Sequence, residues 1–176
     1  MIGRIENLRK IRVSDIAFAY THQTRLEPDR PMVVNRFPEA DRLHEEYSKI
    51  NGTMKPEDLD ASLRYLSRFT GNILIVGRPD GIRVSNDTVS LVEFKTVWGE
   101  EPHIDTIRLG ILQVQLYAWL IEPHLRRLGF KLSDVHYVEI INRQNGELVA
   151  SIRVPTLPNP EELIWQTVYN FLDKEE

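Results

Sequence analysis

The segment Asn72 to Val97, NILIVGRPDGIRVSNDTVSLVEFKTV, constrains this chain more than any other. NILIV (72–76) is a short continuous apolar run of the kind found in a buried strand. IRV and TVSLVEFKTV stand on either side of the turn formers Ser85, Asn86 and Asp87 and read as two further strands. Three strands in succession commit this region to a sheet. Side chains two apart in a strand share a face, so Val89, Leu91, Glu93 and Lys95 line one side, and Ser90, Val92 and Phe94 the other. Two apolar positions followed by two charges mean that this face leaves the core at its end. Asp80 stands at a comparable exit, just beyond the first apolar run.

Helical patterns bracket these strands. SDIAFAY (14–20) reads as a short helix capped by Ser14, followed by a proline-bearing connection through Pro28, Pro31 and Pro38. A helix fits 39–50 on the stripe Leu43, Tyr47 and Ile50, with His44 at its margin. Another begins at Pro56 and is expected to run to about Phe69 through Leu59, Leu63 and Leu66, ending at Gly71. Helical spacing returns from Asp105 to Leu128, where Pro123 is expected to break or kink the segment. VHYVEII and ELVASIRV form a hairpin around Gln144, Asn145 and Gly146, and a last helix follows Pro160 through Leu163, Val168 and Phe171. This order predicts a single α/β domain over 1–176, a central mixed sheet flanked by helices, with its core at about 39–142.

With 41% hydrophobic residues, a chain of 176 has enough apolar surface for a real core. No stretch approaches a membrane span, and MIGRIENLRKIRV lacks the apolar centre of a signal peptide, so a cytoplasmic protein is expected. Cysteine is absent, which excludes disulfides, thiolate zinc sites and cysteine-ligated iron–sulfur clusters. Any metal must therefore take oxygen or imidazole ligands. The net charge of −4 is unevenly spread: residues 39–62 hold 7 acids against 3 bases, and residues 161–176 hold 5 against 1. The rest is positive, with Arg4, Arg9, Lys10, Arg12, Arg64 and Arg68 as candidates for a basic surface or for an ordinary solvated one.

If the strands pair through the 82–89 hairpin, Asp80 and Glu93 converge within reach of one cation, and a carboxylate pair suits Mg²⁺ or Mn²⁺. Lys95 then points at the same spot, where an ammonium holds water or offsets charge on a phosphate. The tripeptide Glu-x-Lys by itself is common and is more often a salt bridge on an exposed strand face. Gln113 and Tyr117, four apart on the long helix, share a face and are either core residues or turned toward the site.

The full arrangement, Pro79-Asp80, twelve residues, then Glu93-Phe94-Lys95, resembles the signature of the PD-(D/E)xK nuclease superfamily. LQVQLYAWL carries Gln113 and Tyr117 in the QxxxY spacing of its RecB-like branch. ADRLHEEY resembles the helix that supplies that branch's motif histidine, here His44, and VSDIAFAYTHQTRL resembles its N-terminal segment. Together these cover residues 14 to about 142 and look most like the CRISPR-associated exonucleases. The chain departs from them in having no cluster cysteines, with only His22 near the first such position, and in carrying Ala40 where the family prefers glycine. The joining of the two ends must then fall to apolar packing of the last helix, through Leu163, Ile164, Val168 and Phe171.

The resemblance implies a restriction-endonuclease-like αβββαβ core and a metal-dependent DNA nuclease. It implies Asp80, Glu93, the Phe94 carbonyl and His44 as ligands of Mg²⁺ or Mn²⁺, and Lys95, Gln113 and Tyr117 as catalytic or positioning residues. Single-stranded DNA or free DNA ends are the implied partner, without a membrane and without an iron–sulfur cluster. Two other readings remain at this point: an idle nuclease fold that binds nucleic acid or regulates a partner nuclease, and a structure-specific endonuclease.

Overall fold

The strand Thr88–Val97 alternates as its sequence predicts, yet both of its faces are covered. Val89, Leu91 and Val97 join the main core, while Val92 and Phe94 pack with Ile141 beneath Tyr47, whose ring meets Phe94 edge-on at 5.8 Å. That double burial is why Val92 and Phe94 are as apolar as Val89 and Leu91 on the opposite face. A computed structural model of the chain describes residues 10–23, 26 and 38–172.

In chain order the elements are β1 (Lys10–Arg12), α1 (Val13–His22), α2 (Pro38–Asn51), a short α3 (Pro56–Leu59), β2 (Leu66–Thr70), β3 (Ile73–Gly77), β4 (Gly81–Ser85) and β5 (Thr88–Val97). They continue with α4 (Ile104–Arg127), β6 (Lys131–Leu132), β7 (Val135–Asn142), β8 (Leu148–Pro155) and α5 (Pro160–Leu172). The result is a single-domain α/β fold, but the strands form two mixed sheets in place of the one expected. β3 lies between β1, to which it is parallel, and β2, to which it is antiparallel. The second sheet runs β4-β5-β7-β8, with β5 and β7 parallel across α4 and with β6 also paired to β5. Arg78, Pro79 and Asp80 are the link between the two sheets. The order α2-β3-β4-β5-α4-β7 is αβββαβ, as expected. No helix among the described residues is long and apolar enough to cross a membrane.

Ser14 does not cap α1, which begins at Val13 after the cap residue Arg12. Two further local expectations fail for reasons the structure makes plain. Leu66–Thr70 is a strand, not the end of a helix: the helical part stops at Leu59, a single 3-10 turn spans Ala61–Leu63, and β2 then turns at Gly71 to pair with β3. Gly71 has φ +57, and a Cβ there would stand 2.8 Å from the Trp165 ring. Pro123 does not end α4, which runs on to Arg127. Proline cannot donate to the carbonyl four residues back, Trp119; Arg68 of β2 does so instead, its Nη1 2.7 Å from that oxygen and its guanidinium 4.5 Å from the Trp119 ring centre. Arg68 is therefore a partner of the helix and not part of an open basic surface.

The last helix packs as the missing cysteines required. Ile164 and Val168 are fully buried, and Trp165 Nε1 donates to Thr70 Oγ1 at 3.0 Å. Burying two such aliphatic side chains contributes about 3–6 kcal/mol. Arg4, Arg9, the connection through Pro28 and Pro31, and the side chains of Ala40, Ile50 and Phe171 lie outside the described residues.

His136 on β7 is also fully buried. Its Nδ1 accepts from the Leu91 amide at 3.1 Å, so Nε2 carries the proton and donates to Thr156 Oγ1 at 2.8 Å. The Thr156 hydroxyl in turn donates to the Ser133 carbonyl at 2.9 Å. Burial, opposed only by Asp134, pushes the imidazole down to about 4.

These contacts give two expectations. Removing the donor in Arg68→Met should cost about 1–3 kcal/mol, the scale of an orphaned buried carbonyl; in a Pro123→Ala background the cost should shrink, because an amide then replaces the guanidinium. Additive losses in a double-mutant cycle by urea denaturation would contradict that coupling. For His136, the unfolded chain takes up a proton near its ordinary 6.5 and the folded one only near 4. Its contribution is thus whole above the upper value and declines by about 3 kcal/mol as pH falls through that interval. Urea titrations of His136→Gln should show this component of the slope removed.

Candidate active site

The site is built where β5 loses one neighbour. β4 pairs with β5 only from Ser85↔Thr88 to Gly81↔Val92, whereas β7 accompanies β5 as far as Val97. Beyond Val92 one edge of β5 is therefore open. The Phe94 amide points along it and donates to Asp80 Oδ2 at 2.9 Å. Amide and carbonyl of one strand residue point to the same side, so the Phe94 carbonyl faces this edge beside Asp80. Asp80 itself is exposed, which makes this the mouth of the site.

Glu93 and Lys95 project from β5 toward α4. Gly110 permits the approach: a Cβ there would fall 2.7 Å from Val138 Cγ1 and 3.5 Å from Lys95 Cγ. One turn later Gln113, buried within the helix's apolar stripe, meets the lysine. Lys95 Nζ donates to Gln113 Oε1 and, at 2.9 Å, to Glu93 Oε1. The Tyr117 ring lies against Gly77, where a Cβ would come within 2.6 Å of it, so Tyr117 closes the core at the end of β3. Asp80, Glu93, Lys95, Gln113 and Tyr117 are thus brought together from two elements, β5 and α4, and one loop.

Glu93 has an uncompensated oxygen. Oε1 is held by Lys95, but Oε2 is buried with no hydrogen-bond partner. Burial, reinforced by the nearby Asp80 carboxylate and only partly opposed by Lys95, raises Glu93 to about 8. Two acids this close are held together either by a shared proton or by a cation. Burial works against the Lys95 ammonium too, but Glu93 and Asp80 outweigh it and raise its pKa, so it keeps its proton. The Tyr117 hydroxyl is pushed well above its ordinary range by burial, then by Glu93, Asp80 and Asp15. Asp15, in the first turn of α1, is a neighbour of the site that no spacing in the sequence announced.

His44 reaches the neighbourhood of Asp80 from α2. It belongs to α2, its ring lies 5.2 Å from that of Phe94, and Phe94 points away from Glu93. Its Nε2 is buried without a partner, and burial lowers its pKa, with Asp80 opposing and Lys95 assisting. Among the described residues no three His, Asp or Glu side chains assemble as a metal-binding group. Of the expected ligand set, Asp80 and Glu93 converge beside the Phe94 carbonyl, and His44 packs on the Phe94 ring within the field of Asp80. The orphaned carboxylate oxygen and the hard oxygen donors fit a divalent cation of the Mg²⁺ or Mn²⁺ kind.

A second buried acid fixes α2 in place. Glu139 accepts from Arg83 Nη2 at 2.7 Å and from Asn51 Nδ2 at 3.1 Å, and Arg83 Nε donates to Thr53 Oγ1 at 3.1 Å. Met54 and Ile82 exchange backbone hydrogen bonds alongside. These contacts clamp the end of α2 to β4 and β7, and so set where His44 stands.

No family model matches the chain, and no curated protein matches it. Solved structures do. One of them, the crystal structure of SSO0001, aligns with a TM-score of 0.55 at 16% identity, over 96% of this chain and 77% of that one. The likeness is one of fold.

The raised Glu93 carboxyl has a measurable consequence. In the unfolded chain it ionises near 4.5, in the folded chain near 8, so wild-type stability without metal is lost as pH rises through that interval. Glu93→Gln should therefore be as stable as the wild type at pH 4.5 and progressively more stable toward pH 8 in chelator. Millimolar Mg²⁺ or Mn²⁺ should raise the wild-type melting temperature and leave that of the variant unmoved. A wild type indifferent to both metals would contradict the assignment of the carboxylate pair.

Proposed function

We propose that the chain is a divalent-metal-dependent nuclease that hydrolyses DNA from single-stranded or free ends. The observation that carries this reading is the meeting of Asp80 and Glu93 with a buried carboxylate oxygen left without a partner, beside a lysine that keeps its charge. Asp80, Glu93 and the Phe94 carbonyl would hold Mg²⁺ or Mn²⁺, with the neutral His44 imidazole as a further donor at the rim. Such an ion supplies Lewis-acid polarisation of a phosphoryl oxygen and lowers the pKa of a bound water.

The chain's own groups do the rest. Lys95 retains its proton, so it serves as a charged hydrogen-bond donor to the attacking water or to a non-bridging phosphate oxygen, not as the base. Glu93 Oε1 and Gln113 Oε1 fix the ammonium from two sides, which holds it in place before substrate arrives. Tyr117, kept neutral, offers a hydroxyl donor from the floor of the site. The resemblance to CRISPR-associated exonucleases supports action from ends over site-specific cleavage.

A second reading is favoured by one observation. Lys95 is already bonded to Glu93, and no third acid or imidazole completes a metal group among the described residues. An idle nuclease fold that binds nucleic acid or regulates a nuclease would tolerate that arrangement.

Cleavage assays with Mg²⁺ and Mn²⁺ on end-labelled and circular single strands separate the readings. Asp80→Ala and Glu93→Ala should each abolish hydrolysis in folded protein, and the circle should be spared. Gln113→Ala should retain metal affinity by calorimetry yet lose about 10–100-fold in single-turnover rate, the order of penalty for a misplaced catalytic group. Tyr117→Phe keeps the ring on Gly77 and tests the hydroxyl alone. Activity that persisted in both carboxylate variants would sink the assigned site, and a wild type inert on every strand with either metal would favour the idle fold.

A further inference from the structure

Trp98, the first residue beyond β5, is 64% exposed, yet its surroundings hold it in place. The Arg143 guanidinium lies over its ring at 5.2 Å from the centre. The backbone on both sides is pinned to the end of β7: the Arg143 amide donates to the Val97 carbonyl at 2.8 Å, and the buried Asn142 donates from Nδ2 to the Gly99 carbonyl at 3.0 Å. Gly99, at φ +83, makes the turn that follows. Scattered exposed apolar side chains are ordinary. A large aromatic ring held on a rigid frame, with one cation on it and no hydrophobic cover, is the construction of a stacking surface.

Its place in the fold gives that surface a use. Trp98 comes three residues after Lys95, just past the end of β5 and roughly 10 Å further along the chain at the usual rise, an odd offset that turns it to the Phe94 side. It stands at the carboxyl end of the parallel pair β5 and β7, where open α/β sheets bind ligands. We infer that Trp98 and Arg143 form a platform at the end of β5 on which an unpaired base of a nucleic-acid strand stacks while the strand's backbone continues toward Lys95. The inference rests on the nucleic-acid part of the preceding proposal and specifies the substrate: a strand with its bases free. A base in a duplex presents only its edges, so this surface discriminates against paired ends. The adjoining Glu100 and Glu101 repel phosphates, so the contact is made by ring stacking and not by a basic groove.

The test uses the whole protein in chelator, where strands bind without being cut. Oligothymidylate should quench tryptophan fluorescence of the wild type; Trp98→Ala should lose that quenching and bind roughly 10-fold more weakly, the scale of one stacked base. Trp98→Phe should retain most of the affinity. An oligonucleotide scanned with a single abasic position should weaken on wild type at one or two positions and show no such dip on Trp98→Ala. Equal affinity of the wild type and Trp98→Ala for single strands, a flat abasic scan on wild type, or duplex bound as well as single strand would each overturn the platform. Cleavage with Mg²⁺ or Mn²⁺ is measured in parallel. A wild type that cuts single strands at a rate and affinity independent of Trp98 leaves the nuclease and removes the platform. One that binds through Trp98 but never cuts leaves the platform and removes the nuclease.

Discussion

The hydrogen bond from the Phe94 amide to Asp80 is made where a neighbouring strand would otherwise be. Strand amides and carbonyls that lose a partner must find another, because leaving them buried and unpaired costs as much as a lost hydrogen bond. When β4 stops at Gly81, β5 still has β7 on one side, so it stays straight and the other edge falls open. A side-chain carboxylate is a suitable replacement acceptor for the amide, and it satisfies nothing on the carbonyl. The link between the two sheets is thereby tied to the middle of β5, at the level where Glu93 and Lys95 turn toward α4. Had β4 been two residues longer at its start, Asp80 would have been carried away and the edge closed.

Two buried glutamates show what distinguishes support from chemistry in this sheet. Glu139 is about as buried as Glu93, but both of its oxygens are taken, by Arg83 and Asn51. It is a fastening between a helix and a sheet. Glu93 shares its surroundings with a second carboxylate and keeps one oxygen unsatisfied, an arrangement that opposes folding. Local rules are broken in native structures mainly where function requires it, and Glu93 is one of the described positions that breaks them.

What could be read from the sequence was what depends on neighbours in the chain. The alternation in TVSLVEFKTV, the run NILIV and the helical stripe through Gln113 and Tyr117 each report on a local period, and each became the expected element. Leu59, Leu63 and Leu66 also fit a helical period. Leu66 nevertheless belongs to β2, because Gly71 adopts a left-handed turn that folds 66–70 back on β3, and pairing energy outweighs propensity. The division into two sheets follows from which strands bond to which, a property no single segment contains. His44 was placed on the right helix, but nothing in ADRLHEEY says that its ring will pack on Phe94. Asp15, Arg83 and Glu139 were invisible for the same reason: their partners are distant in sequence.

The contact of Arg68 with the Trp119 carbonyl makes a helix depend on a strand fifty residues away. The last turns of α4 contain a proline and so cannot complete their own ladder; they borrow a donor from an edge strand of the other sheet. When β2 lifts away, that carbonyl loses its substitute donor, and the turns beyond Trp119 are the part of the helix left to fray. The amino-terminal half, anchored by Gly110, Gln113 and Tyr117 against β5 and β3, has no such debt. Amide exchange should accordingly divide this one continuous helix into two cooperative units, the first protected with the central sheet and the second opening together with β2.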